Sequence, residues 1–239
     1  MKKNLKLWVV IPARSGSQSV KHKNIKKIKN LPLMAYTIIQ AKKIKNIDNI
    51  IFTSDSKRYL SIAKKYGANL LHHRSKKNSS NTATDLDFFR ELVAYLKKNN
   101  YVLPDAFVHL RPNSPNRDSS VLNKAVKFFI SNFKKYSAMR SVSKMSETSY
   151  KTFEIENKIL KGLCGKSSNI EKMNRPKELF NDTYMANGYI DIVKVENIFK
   201  KNFLHGNKVV PFIINSLSVD IDSKNDLEYA KYLLTKKKI

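Results

Sequence analysis

The feature that narrows the fold most is a repeated alternation of short β-branched apolar runs with longer stretches of helical periodicity. Residues 7–11, Leu-Trp-Val-Val-Ile, are apolar at every position and stop at Pro12. That pattern predicts a strand buried on both faces that feeds a loop. Residues 33–43 place Leu33, Met34, Tyr36, Thr37, Ile38 and Ala41 at helical spacing, and residues 50–53 give a second strand. The alternation continues with a helix over 58–66 ended by Gly67, a strand at 69–71, a helix over 86–99, a strand at 106–110, a helix over 121–133 and a strand at 138–142. This order predicts an α/β fold, a mostly parallel sheet flanked by helices. Over residues 143–181 the pattern weakens into Ser, Thr, Asn and Lys with a short strand candidate at 151–154, which predicts an insertion outside the main sheet. Strands at 189–193 and 209–214, a short strand end at 219–222 and an amphipathic helix over 224–234 follow, and the whole of 1–239 reads as one domain without internal repeats.

A chain of 239 residues buries a sizeable core without a partner. Its single cysteine, Cys164, excludes an intrachain disulfide and points to a reducing cytoplasm. The basic start and apolar run imitate a signal peptide until Pro12 and Arg14 cut the run short. No stretch approaches the roughly 18–20 apolar residues of a membrane span. The formal net charge of +27 would ordinarily suggest nucleic acid or an anionic membrane. The lysines, however, lie along the whole chain beside Asn and Ile, as at 26–30, 42–46 and 97–100, and the aromatics fall mainly in predicted strands and helices. That distribution reads as residue bias rather than a binding stripe, so no nucleic-acid partner is expected. The positive field still favours capture of small polyanions.

Open α/β sheets bind ligands at the carboxyl ends of their strands. The loop after the first strand supplies Arg14, Ser15, Gly16, Ser17, Lys21, Lys23 and Asn24. Arg and Lys neutralise phosphate charge, hydroxyls and amides donate to phosphate oxygens, and glycine allows close approach. The loop matches neither G-x-x-x-x-G-K-[ST] nor G-x-G-x-x-G, and it reads equally as a phosphate loop or as a lysine-rich surface turn. A second constellation is Asp220 and Asp222, whose spacing of two along an extended strand puts both carboxylates on one side. Such a pair suits Mg²⁺ (or Mn²⁺), which takes one or two protein carboxylates plus water and phosphate oxygens. The plainer alternative is a pair of strand-end acids, with Asp222 or Ser223 capping the last helix. His72 and His73 fall in no metal-ligand pattern, and Cys164 has no His or Asp arrangement around it.

Taken in order, Ile11-Pro-Ala-Arg-Ser-Gly-Ser17 with Lys23-Asn24, Thr53-Ser-Asp55, Thr82-Ala-Thr84, Leu110-Arg-Pro-Asn-Ser-Pro115, Asn187-Gly188 before an apolar strand, and Asp220-Ile-Asp222 with Asp226-Leu227 resemble the acylneuraminate cytidylyltransferases. That family includes CMP-sialic, CMP-legionaminic and CMP-pseudaminic acid synthetases and is related to CMP-Kdo synthetase. The resemblance spans nearly the whole chain and implies a nucleotide-diphospho-sugar transferase-like fold. By resemblance, Arg14, Ser17 and Lys23 belong to a triphosphate loop, Asn24 to the adjacent nucleotide site, Arg74 to the surroundings of the base, and Thr84 to the cytidine. As residues alone, Arg74 also reads as an exposed loop arginine and Thr84 as a helix N-cap. Arg111 stands where sialic-acid-specific relatives usually carry glutamine, at a position associated with the sugar. Lys151 and Lys177 match cationic positions for the sugar carboxylate or phosphate charge, and Asn187 belongs with the sugar site. The loop departs from the family at residues 18–21, where many members have Lys-Gly-x-Pro. Asp220 and Asp222 match metal-binding aspartates.

The resemblance implies transfer of CMP from CTP to the anomeric hydroxyl of an acidic nine-carbon sugar, with release of pyrophosphate. Arg14, Lys23 and Asp222 would carry the chemistry, and residues 143–181 would build a homodimer. A Kdo-specific cytidylyltransferase and a basic nucleic-acid-binding protein are the alternatives.

Overall fold

The computed structural model describes residues 5–17, 20–164, 170–215 and 219–236. Strand β1 (Leu7–Pro12) lies inside a seven-stranded sheet with β4 (Asn49–Ser54), β5 (Leu70–His73), β6 (Ala106–His109), β7 (Ala138–Lys144), β10 (Tyr184–Lys194) and β11 (Val209–Ile213). The order is β11-β7-β10-β6-β1-β4-β5. β1 pairs in parallel with β4 and β6, β4 with β5, and β11 with β7, whereas β10 runs antiparallel to both β6 and β7. The expected mostly parallel sheet is therefore present, with one reversed strand inside it.

The unbroken apolar run of β1 is explained by its two partners. Leu7, Val9 and Ile11 enter a core with α1 (Leu33–Ala41), α2 (Lys57–Tyr66) and α4 (Ser119–Ser131). Trp8 and Val10 enter a second core with α3 (Asp85–Lys98) and α5 (Val195–Lys200). Helices on both faces require period-two residues that are apolar on both sides. Gly67 ends α2 at φ 110°, a left-handed cap that glycine adopts without steric cost. A third cluster joins Ile28 of the small hairpin β2 (Lys27–Ile28) and β3 (Leu31–Pro32) with Leu33, Tyr36, Val219, Ile221 and α6 (Lys224–Lys236).

One local expectation is corrected. Residues 219–222 form no strand; they are an irregular segment in which Val219 and Ile221 are buried, Asp220 is half-buried and Asp222 is exposed. The apolar alternation is real, but what holds the segment is the 111–117 loop: the Ile221 amide donates to the Asn113 carbonyl at 3.0 Å, and the Val219 amide to Asn116 Oδ1 at 3.3 Å. Helix α5 was not foreseen, because Val195–Lys200 is too short to display a period.

Between β7 and β10 the chain makes the hairpin β8 (Phe153–Glu156) and β9 (Ile159–Gly162), paired only with each other. It returns into β10 through a register shift between Ala186 and Asp191. Inside that bulge Gly188 has φ 63°, and a Cβ there would lie 3.2 Å from Asp220 Oδ2. The Arg117 guanidinium clamps this region. Its Nε donates to the Tyr189 carbonyl (2.6 Å), Nη1 to the Ser114 carbonyl (2.7 Å) and Thr37 Oγ1 (3.1 Å), and Nη2 to the carbonyls of Arg111 (2.7 Å) and Gly188 (3.0 Å). Replacing Arg117 by Met would strand several buried carbonyls at a cost of about 3 kcal/mol or more. Calorimetry should show a melting temperature lower by roughly 6–12 °C, and an unchanged melt would refute the clamp.

Candidate active site

At the carboxyl ends of β1, β4, β5 and β6 lies an open cleft of about 580 Å³, lined among others by Arg14, Ser17, Lys23, Asn24, Arg74, Thr84, Asp85, Arg111, Asn113 and Asp222. The loop after β1 is pinned from β4: the Ser15 amide and hydroxyl donate to Asp55 Oδ1 and Oδ2 at 2.8 and 2.7 Å. Asn24 Nδ2 closes the loop on the Arg14 carbonyl (3.1 Å), while its buried Oδ1 has no hydrogen-bond partner among the described residues. Arg14 Nη1 reaches across the cleft to the Ser80 carbonyl (3.0 Å) and Asn81 Oδ1 (2.9 Å). Lys23, buried, donates to the Ile221 carbonyl and to Asp222 Oδ1, the latter at 2.9 Å.

Arg74, 5% exposed, sits over the Phe88 ring with its Cζ 5.3 Å from the centroid, and its Nε donates to Ser79 Oγ at 3.0 Å. Burial lowers its pKa, opposed by the charges of Asp55 and Glu91. The 75–79 turn next to it hangs on Glu91, which accepts from the Ser75 amide and hydroxyl and from Asn78. Behind this turn His72 is buried, with Nδ1 2.8 Å from Thr53 Oγ1, and burial pushes its pKa down to about 4. Arg111 is gripped by two carboxylates, Nη2 on Asp85 Oδ2 (2.6 Å) and Nη1 on Asp191 Oδ2 (3.0 Å). The buried Oδ1 of Asp220 has no hydrogen-bond partner among the described residues. Burial, and next the neighbouring Asp222, raise its pKa.

The sequence pattern of the family described as Cytidylyltransferase matches residues 8–205. The chain is a member of the cytidylyltransferase family. It is 29% identical over 233 residues to the N-acylneuraminate cytidylyltransferase of Escherichia coli O18:K1:H7, covering 97% of this chain but 53% of that protein. It is 28% identical to the CMP-N,N'-diacetyllegionaminic acid synthase of Campylobacter jejuni, over 96% of this chain and 95% of that one. The chain thus spans about half the length of the first relative and nearly all of the second. The fold superposes on a CMP:2-keto-3-deoxy-manno-octonic acid synthetase complexed with CTP, with a TM-score of 0.70 at 13% identity over 97% of this chain and 99% of that one.

The cleft gathers Arg14, Ser17, Lys23, Asn24, Arg74, Thr84, Arg111 and Asp222 from five separate stretches of sequence. Its lining does not include the other four, Asp220, Asn187, Lys177 and Lys151. Asn187 spends its amide inside the β10 bulge, accepting from Ser141 Oγ (2.7 Å) and the Tyr189 amide (3.1 Å) and donating to Ser143 Oγ (2.8 Å). Lys177 lines a separate depression of the insertion with Lys144 and Asp182, and Lys151 ends a 3₁₀ turn of the same insertion. Thr84 is both a cleft residue and the N-cap of α3, in a reciprocal capping box with Asp87. Ser223, not Asp222, caps α6: its hydroxyl accepts from the Asp226 amide at 3.1 Å. Asp222 is thereby left for Lys23.

Sequence reasoning quoted Asp55 without giving it a task and did not single out Asp85, Asp191 or Arg117. Asp55 was within reach, as a carboxylate directly after a strand; the others acquire meaning only from partners 26 to 80 positions away. His109 is fully buried, and its pKa too falls to about 4, with burial the main cause. Both histidines fold neutral with values below the unfolded 6.5, so the unfolded chain gains protons first as pH falls. Stability should drop between pH 6.5 and about 4, by up to about 3 kcal/mol for each histidine. Urea midpoints measured at pH 7 and 4.5 would show this, and His109→Phe should flatten the dependence.

Proposed function

We propose that this chain transfers CMP from CTP to the anomeric hydroxyl of a nonulosonic acid of the sialic, legionaminic or pseudaminic type. The observation that carries the reading is the convergence of Arg14, Lys23, Arg74 and Asp222 on one cleft, in a chain of this family. In the reaction the sugar hydroxyl oxygen bonds to the α-phosphorus, the bond to the β-phosphate breaks, and the hydroxyl proton is lost as pyrophosphate leaves. Such a step is catalysed by positioning and by charge placed where charge grows. Arg14, Ser17 and Lys23 hold the triphosphate, and Arg14 and Lys23 balance the charge on the departing pyrophosphate. Asn24 keeps the loop closed, while Arg74 and Thr84 lie on the nucleotide side.

The carboxylates of Asp220 and Asp222 fit Mg²⁺ (or Mn²⁺). Their donors are hard oxygens, the buried Asp220 Oδ1 has no hydrogen-bond partner among the described residues, and two protein ligands are usual for an ion completed by phosphate and water. Bound there, the ion would supply charge neutralisation at the α-phosphate. Lys23, bonded to Asp222 and to the Ile221 carbonyl, keeps that carboxylate beside the triphosphate loop. Asp222→Asn should lower pyrophosphate release about 10²- to 10³-fold while leaving the melting temperature near that of the unchanged enzyme. Near-normal turnover would remove Asp222 from the chemistry. The substrate follows from the same release assay with CTP, Mg²⁺ and sialic, legionaminic, pseudaminic and Kdo sugars.

We also read the chain as a cytoplasmic homodimer built by residues 143–181. Supporting this are Phe153, Ile155, Ile159, Leu160, Leu179 and Met185, each more than 40% exposed, several of them on a two-stranded hairpin too small to be stable alone. No helix among the described residues is long and apolar enough to cross a membrane. Light scattering should give twice the chain mass, and Ile155→Asp with Leu160→Asp should return one chain mass. A wild-type mass of one chain would refute the dimer.

A further inference from the structure

The Arg111–Asp85–Asp191 network remains outside the phosphate chemistry. Asp85 lines the cleft from the first position of α3, a rigid element, and its side chain is 37% exposed. Arg111 bonds it at 2.6 Å and is itself anchored at 3.0 Å to Asp191, which is 1% exposed. Arg140 lies 3.9 Å from the same buried carboxylate. Both terminal nitrogens of Arg111 therefore hold protein carboxylates, so Arg111 is no free clamp for a substrate anion. A sugar carboxylate brought to this wall would meet Asp85 first. Burial opposes ionisation of Asp85, yet its pKa lies below the usual carboxylate range because nearby positive charge outweighs it. At neutral pH that charge is Arg111, since His109 is uncharged there.

Resting on the transferase reading above, we propose that Asp85 is a specificity-determining residue that accepts a hydrogen bond from a hydroxyl or acylamido N–H of the sugar, with Arg111 and Asp191 as the positioning residues that aim it. The sugar then presents a donor-bearing face, not its carboxylate, to this wall. An acceptor fixed in this way rejects substrates that lack the donor, because such a sugar covers the carboxylate from water without replacing the hydrogen bond that water gave it.

The experiment measures kcat and KM for sugar and CTP separately, with CTP affinity by calorimetry. Asp85→Ala should lower kcat/KM for the preferred sugar about 10- to 100-fold and leave CTP affinity within about threefold. Asp85→Asn, which keeps an acceptor, should recover part of the loss. The paired Arg111→Gln/Asp191→Asn change, which leaves no unpaired carboxylate at the buried position 191, should raise the sugar KM about tenfold with CTP affinity kept. Asp85→Ala with unchanged sugar selectivity, or with equal losses for sugar and CTP, overturns the proposal. Silence of the unchanged enzyme on every sugar, with CTP still bound, overturns instead the transferase reading on which it rests.

Discussion

The arrangement of the cleft depends on one buried guanidinium. Arg117, 5% exposed, answers carbonyls of its own loop at Arg111 and Ser114 and of the β10 bulge at Gly188 and Tyr189. Both are segments of irregular backbone whose polar groups would otherwise be buried unpaired. Because the same loop accepts the Ile221 amide through the Asn113 carbonyl and holds the Val219 amide on Asn116, the clamp also fixes where Asp220 and Asp222 emerge. Gly188 completes the contact, since any side chain there would press on Asp220. Burial lowers the Arg117 pKa to about 10, so the group stays charged at neutral pH while bonded to neutral acceptors.

The reversed direction of β10 gives the bulge its place. A strand antiparallel to both neighbours begins its pairing at the end of the sheet where the parallel strands finish, so residues 187–190 lie beside the carboxyl ends of β6 and β1. One wall of the site therefore comes from a strand start, and the insertion between β7 and β10 is delivered to the same end of the molecule. This geometry explains why Asn187-Gly188 serves the backbone at the site's edge while Lys151 and Lys177 lie further out on the insertion.

What was legible in the sequence was what local pattern controls. β1 and the longer helices that cover the sheet follow from period and capping, and the loop from Arg14 to Asn24 follows from its position after a strand. The pair Asp220 and Asp222 was legible as a pair, though not its support, because the buried alternation of Val219 and Ile221 mimics a strand whereas the hydrogen bonds go to another loop. The resemblance put Arg111 at a position associated with the sugar, while the sequence did not show its partners in the chain. Asp191 stands 80 positions away and Asp85 stands 26, and no periodicity links positions so far apart.

Three arginines stand at this edge of the sheet, and the fold treats each differently. Arg117 is saturated by neutral oxygens and serves the backbone. Arg111 is neutralised by two carboxylates and serves a side chain. Arg74 is as buried as Arg117 but holds only Ser79 Oγ and the Phe88 ring, and among the described residues no carboxylate lies within ion-pair distance of it. Desolvating a cation without a counter-charge is costly, and the cost is partly met from a distance by Asp55 and Glu91. An anionic ligand entering the cleft would supply the counter-charge that Arg74 lacks nearby. In a chain with 46 basic and 19 acidic side chains, this local accounting, not the global excess, distinguishes a binding arginine from a solvated one.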